Sequence, residues 1–217
     1  ALTRIATKAR GCGVQLATHA IGDRGNHEVL QAYARALGNS AGDHRWRIEH
    51  AQVLAPADLP RLAAMQVIAS MQPTHATSDM PWAEDRVGPH RINGAYAWRQ
   101  LRDSGARLAL GSDFPVESVD PRLGLYAATT RSDGQDLPVG GWHPEEKLTA
   151  FEALRGFTLD AAYAGFADNE VGSLAVGKRA DFVVLAQDPL SIEPAQLREL
   201  TVQATYVDGR PVYRAAE

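Results

Sequence analysis

Cysteine is nearly absent from this sequence. Cys12 is the only one among 217 residues, so the chain cannot form an internal disulfide bond. This excludes the disulfide-stabilised class of small secreted domains, and we expect a cytoplasmic protein. Cys12 lies between two glycines just before a predicted strand, and we interpret it as a small buried side chain.

Long apolar runs and an excess of basic residues are also absent. No apolar run approaches the roughly 18 residues that a membrane-spanning helix needs, and the basic start lacks the apolar core of a signal peptide. With 22 basic and 26 acidic side chains the net charge is -4, so neither nucleic acid nor a membrane is an expected partner. The sequence does not begin with Met, and we expect its first residue not to be a native amino terminus.

What the sequence does contain is a regular alternation of apolar strand-like runs and helix-like segments. Strands are predicted at residues 14–19, 46–50, 67–71 and 108–112, and helices at 2–10, 26–37, 56–65 and 91–103. A polar stretch of about 18 residues, 73–90, interrupts the alternation and is predicted to be a loop. Such alternation implies parallel strands joined by crossover helices.

After residue 113 the pattern changes to shorter elements. The spacing of Thr149–Glu152 predicts a capping box at the start of a helix. Strands are predicted at residues 181–186, 202–207 and 211–213. The dipeptide Asp208-Gly209 predicts a hairpin turn between the last two strands. We therefore predict two domains, a (β/α)-type domain over residues 1–166 and a small β-rich region over residues 167–217.

Three potential metal ligands or bases lie at the ends of the apolar runs. His19 ends the first strand-like run, His50 ends the second, and Asp113 follows the fourth. The intervals are 31 and 63 residues, close to one and two repeats of a (β/α)8 barrel, which uses about 31 residues for each βα unit. Side chains at these strand ends would point into one mouth of a barrel, where barrel enzymes do their chemistry.

The number of strands limits the choice of fold. A closed barrel needs eight strands, whereas four are predicted here and only 13 residues precede the first. The α/β alternation therefore fits either a small open sheet or the carboxyl-terminal half of a barrel whose first half is absent.

Two histidines and a carboxylate are side chains that catalytic zinc sites use. Neutral imidazoles suit zinc and similar divalent ions, and a catalytic zinc commonly has three protein ligands and a water. The metal lowers the pKa of that water towards 7, and a neighbouring carboxylate such as Asp113 can take its proton. The alternative interpretations are buried structural histidines and a carboxylate that caps a turn.

Several segments resemble the amidohydrolase superfamily. They are THAIGDRGNHEVLQAY, RIEHAQ, SMQPTH, LALGSDFPVESVDPRLGLYAATTR and EVGSLAVGKRADFVVL. Over about residues 10–214 they resemble amidohydrolase family 3, the branch that includes N-substituted formamide deformylase-like enzymes. The resemblance implies the carboxyl-terminal half of a metal-dependent hydrolase (β/α)8 TIM barrel, plus part of a small composite β-sandwich domain.

The resemblance also implies a function. Members of this family are metal-dependent hydrolases of carbon–nitrogen bonds other than peptide bonds. By resemblance, His19 and His50 are metal ligands on the fifth and sixth barrel strands, and Asp113 is a ligand and general base on the eighth. The implied cofactor is a divalent metal, expected to be one or two zinc ions, and the implied partner is a small amide-like substrate. The family's His-x-His pair does not occur in this sequence, so half of the metal shell is expected to be missing.

Four further residues are candidates for substrate binding. His75 follows the third strand and could face the mouth, or could be a solvated loop histidine. Asp23 and Arg24 follow the first ligand and could contact a substrate or form an ion pair in the loop. Arg91 could bind an anionic substrate group or form a surface ion pair.

A second functional class stays open beside the hydrolase. The chain could be a non-catalytic truncated fragment or a weak metal-binding module that carries the family's sequence without completing a site. Half a barrel would leave its first strand unpaired at an edge, which predicts self-association, for example as a homodimer. A small open α/β domain would instead be a stable monomer.

Overall fold

The computed structural model describes residues 1–38 and 42–216. The chain divides into two compact units, one of Ala1–Gln72 and Asp79–Ala109, the other of Pro73–Ser78 and Leu110–Glu217. The domain boundary that the sequence predicts near residue 166 stays a prediction. Within the described ranges, no helix combines the length and the hydropathy that a membrane span requires.

The first unit alternates helices with short parallel strands. In chain order the elements up to residue 110 are α1 (Leu2–Gly11), β1 (Ala17–Ala20), α2 (Asp23–Leu37), β2 (Arg47–His50), α3 (Leu59–Ala64), β3 (Ile68–Met71), α4 (Pro73–Arg91), a 3-10 helix (Ile92–Gly94), α5 (Trp98–Asp103) and β4 (Leu108–Leu110). Residues 73–78 of α4 and the last residue of β4 are assigned to the second unit. They form a sheet of order β1-β2-β3-β4, in which β1 pairs with β2, and β2 with β3, in parallel. The predicted α/β class with a parallel sheet is confirmed.

Aromatic and branched side chains fill the core between this sheet and its helices. Trp46, Ile48 and Trp98 are buried, and Tyr33 of α2 packs edge-on against Trp46 with ring centroids 4.9 Å apart. Burying a large apolar side chain contributes about 1.5–3 kcal/mol. Gly38 has a φ of 57° and ends α2 where the sequence predicts the end of this helix.

The first strand begins later than residue 14, where it was predicted. The N–H of Val14 donates to the carbonyl of Ala9 at 2.9 Å, so this residue extends the end of α1 instead of joining the sheet. The strand is therefore limited to Ala17–Ala20, and His19 is its third residue instead of its last.

Cys12 is exposed, so its interpretation as a buried side chain is wrong. It forms the C-cap of α1, where its N–H donates to the carbonyl of Lys8 at 3.0 Å. Gly13 follows with a φ of 66° and turns the chain away from the helix. The thiol thus lies on a turn between the helix and the sheet, outside the core.

The stretch predicted as an 18-residue polar loop is a helix, α4, so that prediction is wrong. Pro73 lies in its first turn, where the missing N–H has no intrahelical partner to lose. The buried residues of α4 are concentrated in residues 73–76 and do not recur along one face of the helix. The sequence therefore shows no helical periodicity here. Gly88, with a φ of 77°, interrupts the helical backbone near the end.

The helix predicted over residues 91–103 is shorter and contains only α5, Trp98–Asp103. The preceding backbone forms other hydrogen bonds. The N–H of Leu54 donates to the carbonyl of Gly94 at 2.8 Å, and the N–H of Tyr96 donates to the carbonyl of Gln52 at 2.7 Å. These bonds form a β-bridge between the two segments and exclude a continuous helix.

The second unit combines helices with a small antiparallel sheet. In chain order the elements after β4 are α6 (Pro121–Thr130), a 3-10 helix (Pro144–Glu146), α7 (Ala150–Phe157), α8 (Leu159–Ala164), β5 (Phe182–Leu185), a 3-10 helix (Pro194–Glu199), β6 (Val202–Val207) and β7 (Arg210–Arg214). The strands form a sheet of order β5-β6-β7 with antiparallel pairing. Within this unit α6 packs against α7 and against the second 3-10 helix.

Two local sequence signals in this unit are confirmed. The N–H of Thr149 donates to Glu152 Oε2 at 2.8 Å, and the N–H of Glu152 donates to Thr149 Oγ1 at 3.2 Å, which completes the predicted capping box. Asp208 and Gly209 have φ angles of 52° and 73° and connect β6 to β7. Positive φ at both central residues is typical of the hairpin turn that this dipeptide predicts.

Candidate functional site

His19 and His50 lie side by side in the first unit. His19 is paired with Glu49 of β2, and His50, the last residue of β2, is paired with Ala20 of β1. Their imidazole centroids are 4.6 Å apart, and the ring planes meet at 75°. The two strands run parallel, so the rings lie at the same carboxyl end of the sheet. The interval of 31 residues predicts this placement.

The ring of His50 is oriented by Gln72, the residue after β3. Gln72 Nε2 donates to the carbonyl of Ser70 at 3.4 Å, which turns its Oε1 towards His50 Nδ1 at 2.9 Å. A carbonyl oxygen only accepts, so Nδ1 carries the proton and Nε2 carries the lone pair that a metal requires. Gln72 is buried, which fixes this arrangement. No sequence pattern indicates this role for Gln72.

A second group of titratable side chains lies within the second unit. His75, in the first turn of α4, is only 9% exposed. Its Nε2 lies 3.4 Å from Asp113 Oδ2, and its Nδ1 lies 3.5 Å from Glu117 Oε1. His75 is therefore not a solvated loop histidine. Glu117 has no signal in the sequence, because it follows Asp113 in an irregular segment without periodicity.

Asp23 and Arg91 face each other in the first unit. Asp23 Oδ1 accepts a hydrogen bond from the backbone N–H of Arg24 at 2.9 Å and lies 3.8 Å from Arg91 Nη1. In the described part of the chain, the ion pair of Asp23 is thus with Arg91 and not with Arg24. Both arginines are exposed, and Asp23 lies in the first turn of α2, where a negative charge is favourable.

A buried polar network follows His50 and was not predicted. Gln52 Nε2 donates to Asp79 Oδ2 at 2.6 Å, and the hydroxyl of Tyr96 contacts both side chains. Gln52 and Tyr96 are buried. The three residues come from distant parts of the first unit, so no local spacing predicts their meeting. Together they anchor the segment that leaves β2.

Comparison with known proteins decides the family. The profile of amidohydrolase family 3, described as the Amidohydrolase family, matches residues 1–213. The chain belongs to the amidohydrolase family.

Individual relatives of this amidohydrolase chain are longer than the chain itself. It is 38% identical over 212 residues to YtcJ of Bacillus subtilis (strain 168), covering 98% of this chain and 40% of that protein. It is 32% identical over 209 residues to the N-substituted formamide deformylase of Arthrobacter pascens, covering 94% and 38%. The chain thus spans about two fifths of the length of these relatives and matches their carboxyl-terminal part.

A solved structure supports the same fold. The crystal structure of an uncharacterized metal-dependent hydrolase from Pyrococcus horikoshii OT3 has a TM-score of 0.77 and 30% identity, and covers 89% of this chain and 38% of that chain. The predicted fold, part of an amidohydrolase (β/α)8 barrel, is confirmed. The four parallel strands of the amidohydrolase chain correspond to the carboxyl-terminal part of that barrel.

Proposed function

We propose that this chain contributes to the active site of a metal-dependent hydrolase that cleaves carbon–nitrogen bonds other than peptide bonds. The observation that carries the proposal is the pair of imidazoles of His19 and His50, 4.6 Å apart at the ends of neighbouring parallel strands. Membership of the amidohydrolase family supports the reaction class. The names of an N-substituted formamide deformylase and a metal-dependent hydrolase among its relatives support it further.

The donor set fits a divalent metal. Two imidazoles are suitable ligands for zinc, and the hydrogen bond from His50 Nδ1 to Gln72 Oε1 is the kind of outer contact that orients a ligating histidine. We propose His19 and His50 as ligands, with Asp113 as a further ligand by its place in the family motif. Zinc, as one or two ions, is the proposed metal.

The proposed mechanism assigns the proton transfers to Asp113. A bound divalent metal would supply Lewis acidity that lowers the pKa of the attacking water and polarises the scissile group. The carboxylate of Asp113 accepts the proton of that water and returns it to the leaving nitrogen. The Nε2 atom of His75 lies 3.4 Å from Asp113 Oδ2, so its ring is the neighbour of the proposed base.

We propose that the remaining polar side chains bind a small amide-like substrate. Arg24 and Arg91 are exposed and able to contact an anionic group, and Asp23, 3.8 Å from Arg91 Nη1, is proposed as a substrate contact beside them. His75, next to Asp113, is proposed as a further substrate contact. A cytoplasmic location is proposed because the single cysteine has no partner for a structural disulfide.

The proposal is tested by replacing the two histidines separately, as His19→Ala and His50→Ala. The variants are made in the longest natural polypeptide that carries this sequence. We expect each change to abolish bound metal, measured by elemental analysis, and turnover of a panel of N-substituted formamides and other amides. His90→Ala removes an exposed histidine of α4 and is the control, with metal content and turnover unchanged.

Full metal content and turnover in either site variant would contradict the assignment. A wild-type protein that binds metal through both histidines and hydrolyses nothing in the panel would favour the alternative of a non-catalytic metal-binding module.

A further inference from the structure

Asn26 is a fully buried polar side chain beside the ends of the two histidine-bearing strands. It lies in the first turn of α2. Its Nδ2 donates to the carbonyls of Ile21 and Gly22, each at 3.1 Å, directly after β1. The same nitrogen donates to the carbonyl of Val53 at 2.9 Å, three residues after His50. The two amide hydrogens are therefore shared among three carbonyls. These carbonyls belong to the two segments that directly follow β1 and β2, which we call the exits of the strands.

These contacts act where the strand pairing stops. The β1–β2 ladder ends at Ala20 and His50. Beyond it, the N–H of Val53 donates to the carbonyl of Ile21 at 2.8 Å, and the amide of Asn26 bridges the same two segments. The side chain of Asn26 thus joins the segment after β1 to the segment after β2, immediately next to the imidazoles of His19 and His50.

Over the part of the chain that the structure describes, only the amide nitrogen of the Asn26 side chain is hydrogen-bonded, and the amide oxygen is not. Its Oδ1 is buried and has no hydrogen-bond partner among the described residues. A buried acceptor without a partner is unfavourable for stability. An apolar residue of similar size would avoid this cost. The asparagine is therefore explained by what its amide nitrogen donates, and not by its oxygen.

The same helix offers a matched control at the other end of the strands. The hydroxyl of Tyr33 lies 2.7 Å from Thr18 Oγ1 and 2.9 Å from the carbonyl of Arg47, the first residue of β2. Burial raises the pKa of Tyr33 to about 12, so the hydroxyl stays protonated as a donor. Tyr33 therefore bridges the same two strands as Asn26, but near the start of β2 instead of its end.

We propose that Asn26 is a positioning residue of the metal site, which sets the separation of the His19 and His50 imidazoles by tying together the exits of β1 and β2. This inference rests on the proposed function. Asn26 acts through the backbone and not by contact with a metal. Loss of its amide releases the carbonyl of Val53 and loosens the exits, while the ladder between the strands stays intact.

The test measures binding of Co2+ alone, without substrate, to the metal-free form of the longest natural polypeptide that carries this sequence. The variants are Asn26→Ala, Asn26→Asp, which keeps the shape but loses the amide donors, and Tyr33→Phe. We expect both Asn26 variants to bind Co2+ about tenfold or more weakly and to change its visible absorption spectrum. Tyr33→Phe should lower the thermal unfolding midpoint but keep Co2+ affinity within about twofold.

Asn26→Ser keeps one hydroxyl donor and leaves room for a water, so we expect it to fold and to bind Co2+ with intermediate affinity. Wild-type Co2+ affinity and spectrum in any folded Asn26 variant would overturn the positioning role, as would an equal loss of Co2+ affinity in Tyr33→Phe.

The variants His19→Ala and His50→Ala distinguish failure of the positioning role from failure of the proposed metal site. If they bind Co2+ normally, the metal site itself is wrong. If they lose Co2+ while the Asn26 variants do not, only the positioning role fails.

Discussion

Individual residues in the left-handed backbone region coincide with the proposed site. His50, Ala51 and Asp113 have φ angles of 73°, 45° and 59°. Non-glycine residues in this region cost on the order of 1–3 kcal/mol each, and such costs concentrate at functional positions. Glycine would remove the strain at His50 and Asp113, but it would also remove the imidazole and the carboxylate. His50 and Asp113 therefore keep the side chains that the proposed chemistry needs in a backbone conformation that glycine would adopt more easily.

His44 makes stability depend on pH. Its Nε2–H donates to the carbonyl of Met65 at 2.9 Å, and its Nδ1 accepts from the N–H of Trp46 at 2.9 Å. The contact with Trp46 requires the neutral ring, because a protonated Nδ1 has no lone pair to accept with. Burial, with a smaller contribution from Arg10, lowers the pKa of His44 below its ordinary 6.5. The unfolded chain then takes up the proton first as pH falls, so this stabilisation is complete above pH 6.5 and decreases below it.

Urea unfolding at about pH 7.5 and about pH 5.5 measures this effect. We expect the free energy of unfolding of the wild type to fall between the two values more steeply than that of His44→Asn. His90→Asn, at an exposed histidine, is the control and should keep the wild-type slope. An unchanged slope in His44→Asn would contradict the prediction.

The sequence predicts part of the site at residue scale and misses the rest for a physical reason. The contact of His19 with His50 follows from one βα repeat, because neighbouring parallel strands bring their ends together. The contact of His75 with Glu117 depends on the path of an irregular segment, which no periodicity describes. Gln72 is likewise recognised only once its amide is seen to face His50.

At the scale of elements, the segment after β2 is held against the segment before α5 by a close backbone approach. A Cβ at Gly94 would overlap with the carbonyl oxygen of Leu54. We therefore predict that Gly94→Ala lowers the free energy of unfolding by about 1–3 kcal/mol, measured by urea denaturation.

Gly11→Ala is the matched control, because nothing lies within 4 Å of a Cβ at this position at the end of α1. We expect no loss of stability and a gain of up to about 1 kcal/mol. Equal destabilisation by both changes would show that the close approach at Gly94 is not what restricts the residue.

Elements with local chemical signals were predictable, and elements without them were not. The capping box of α7 and the turn at Asp208-Gly209 each depend on contacts within a few residues. The helices α4 and α6 have no single apolar stripe, and both have a proline in the first turn. Proline there is compatible with a helix start and with a turn, so the pattern alone does not distinguish the two.

For the whole molecule, the edge of the parallel sheet predicts behaviour in solution. In the part of the chain that the structure describes, β1 is at the edge of its sheet and pairs with β2. An unprotected edge strand favours pairing with another chain. We expect the 217-residue chain to self-associate as its concentration rises, measured by sedimentation velocity.

Ala17→Lys places a charge on β1 and should shift the chain towards monomer. Ala64→Lys adds the same charge at an exposed position of α3 and should leave the association unchanged. A wild-type chain that is monomeric at all concentrations would contradict the edge-strand prediction.

The family and the barrel fold could be predicted for the whole chain because the motifs at several strand ends act together. The segment from His19 to Tyr33 and the segment around Asp113 are each short, but together they resemble one family and so imply its barrel, whereas the α/β alternation alone also fits a small open sheet. The division into two compact units is different, because it depends on packing between residues distant in sequence, such as the pairing of Leu54 with Gly94.

The exposed thiol of Cys12 has a practical consequence for spectroscopy. As the only cysteine of the sequence, it would accept a single maleimide-linked spin label or fluorophore without any prior mutation. The label would lie on the turn that leads into β1, in the same compact unit as His19 and His50. Paramagnetic Co2+ would shorten the relaxation time of a spin label there, and the effect falls steeply with distance. The label at Cys12 would therefore report how far a bound ion lies from a known position in the chain.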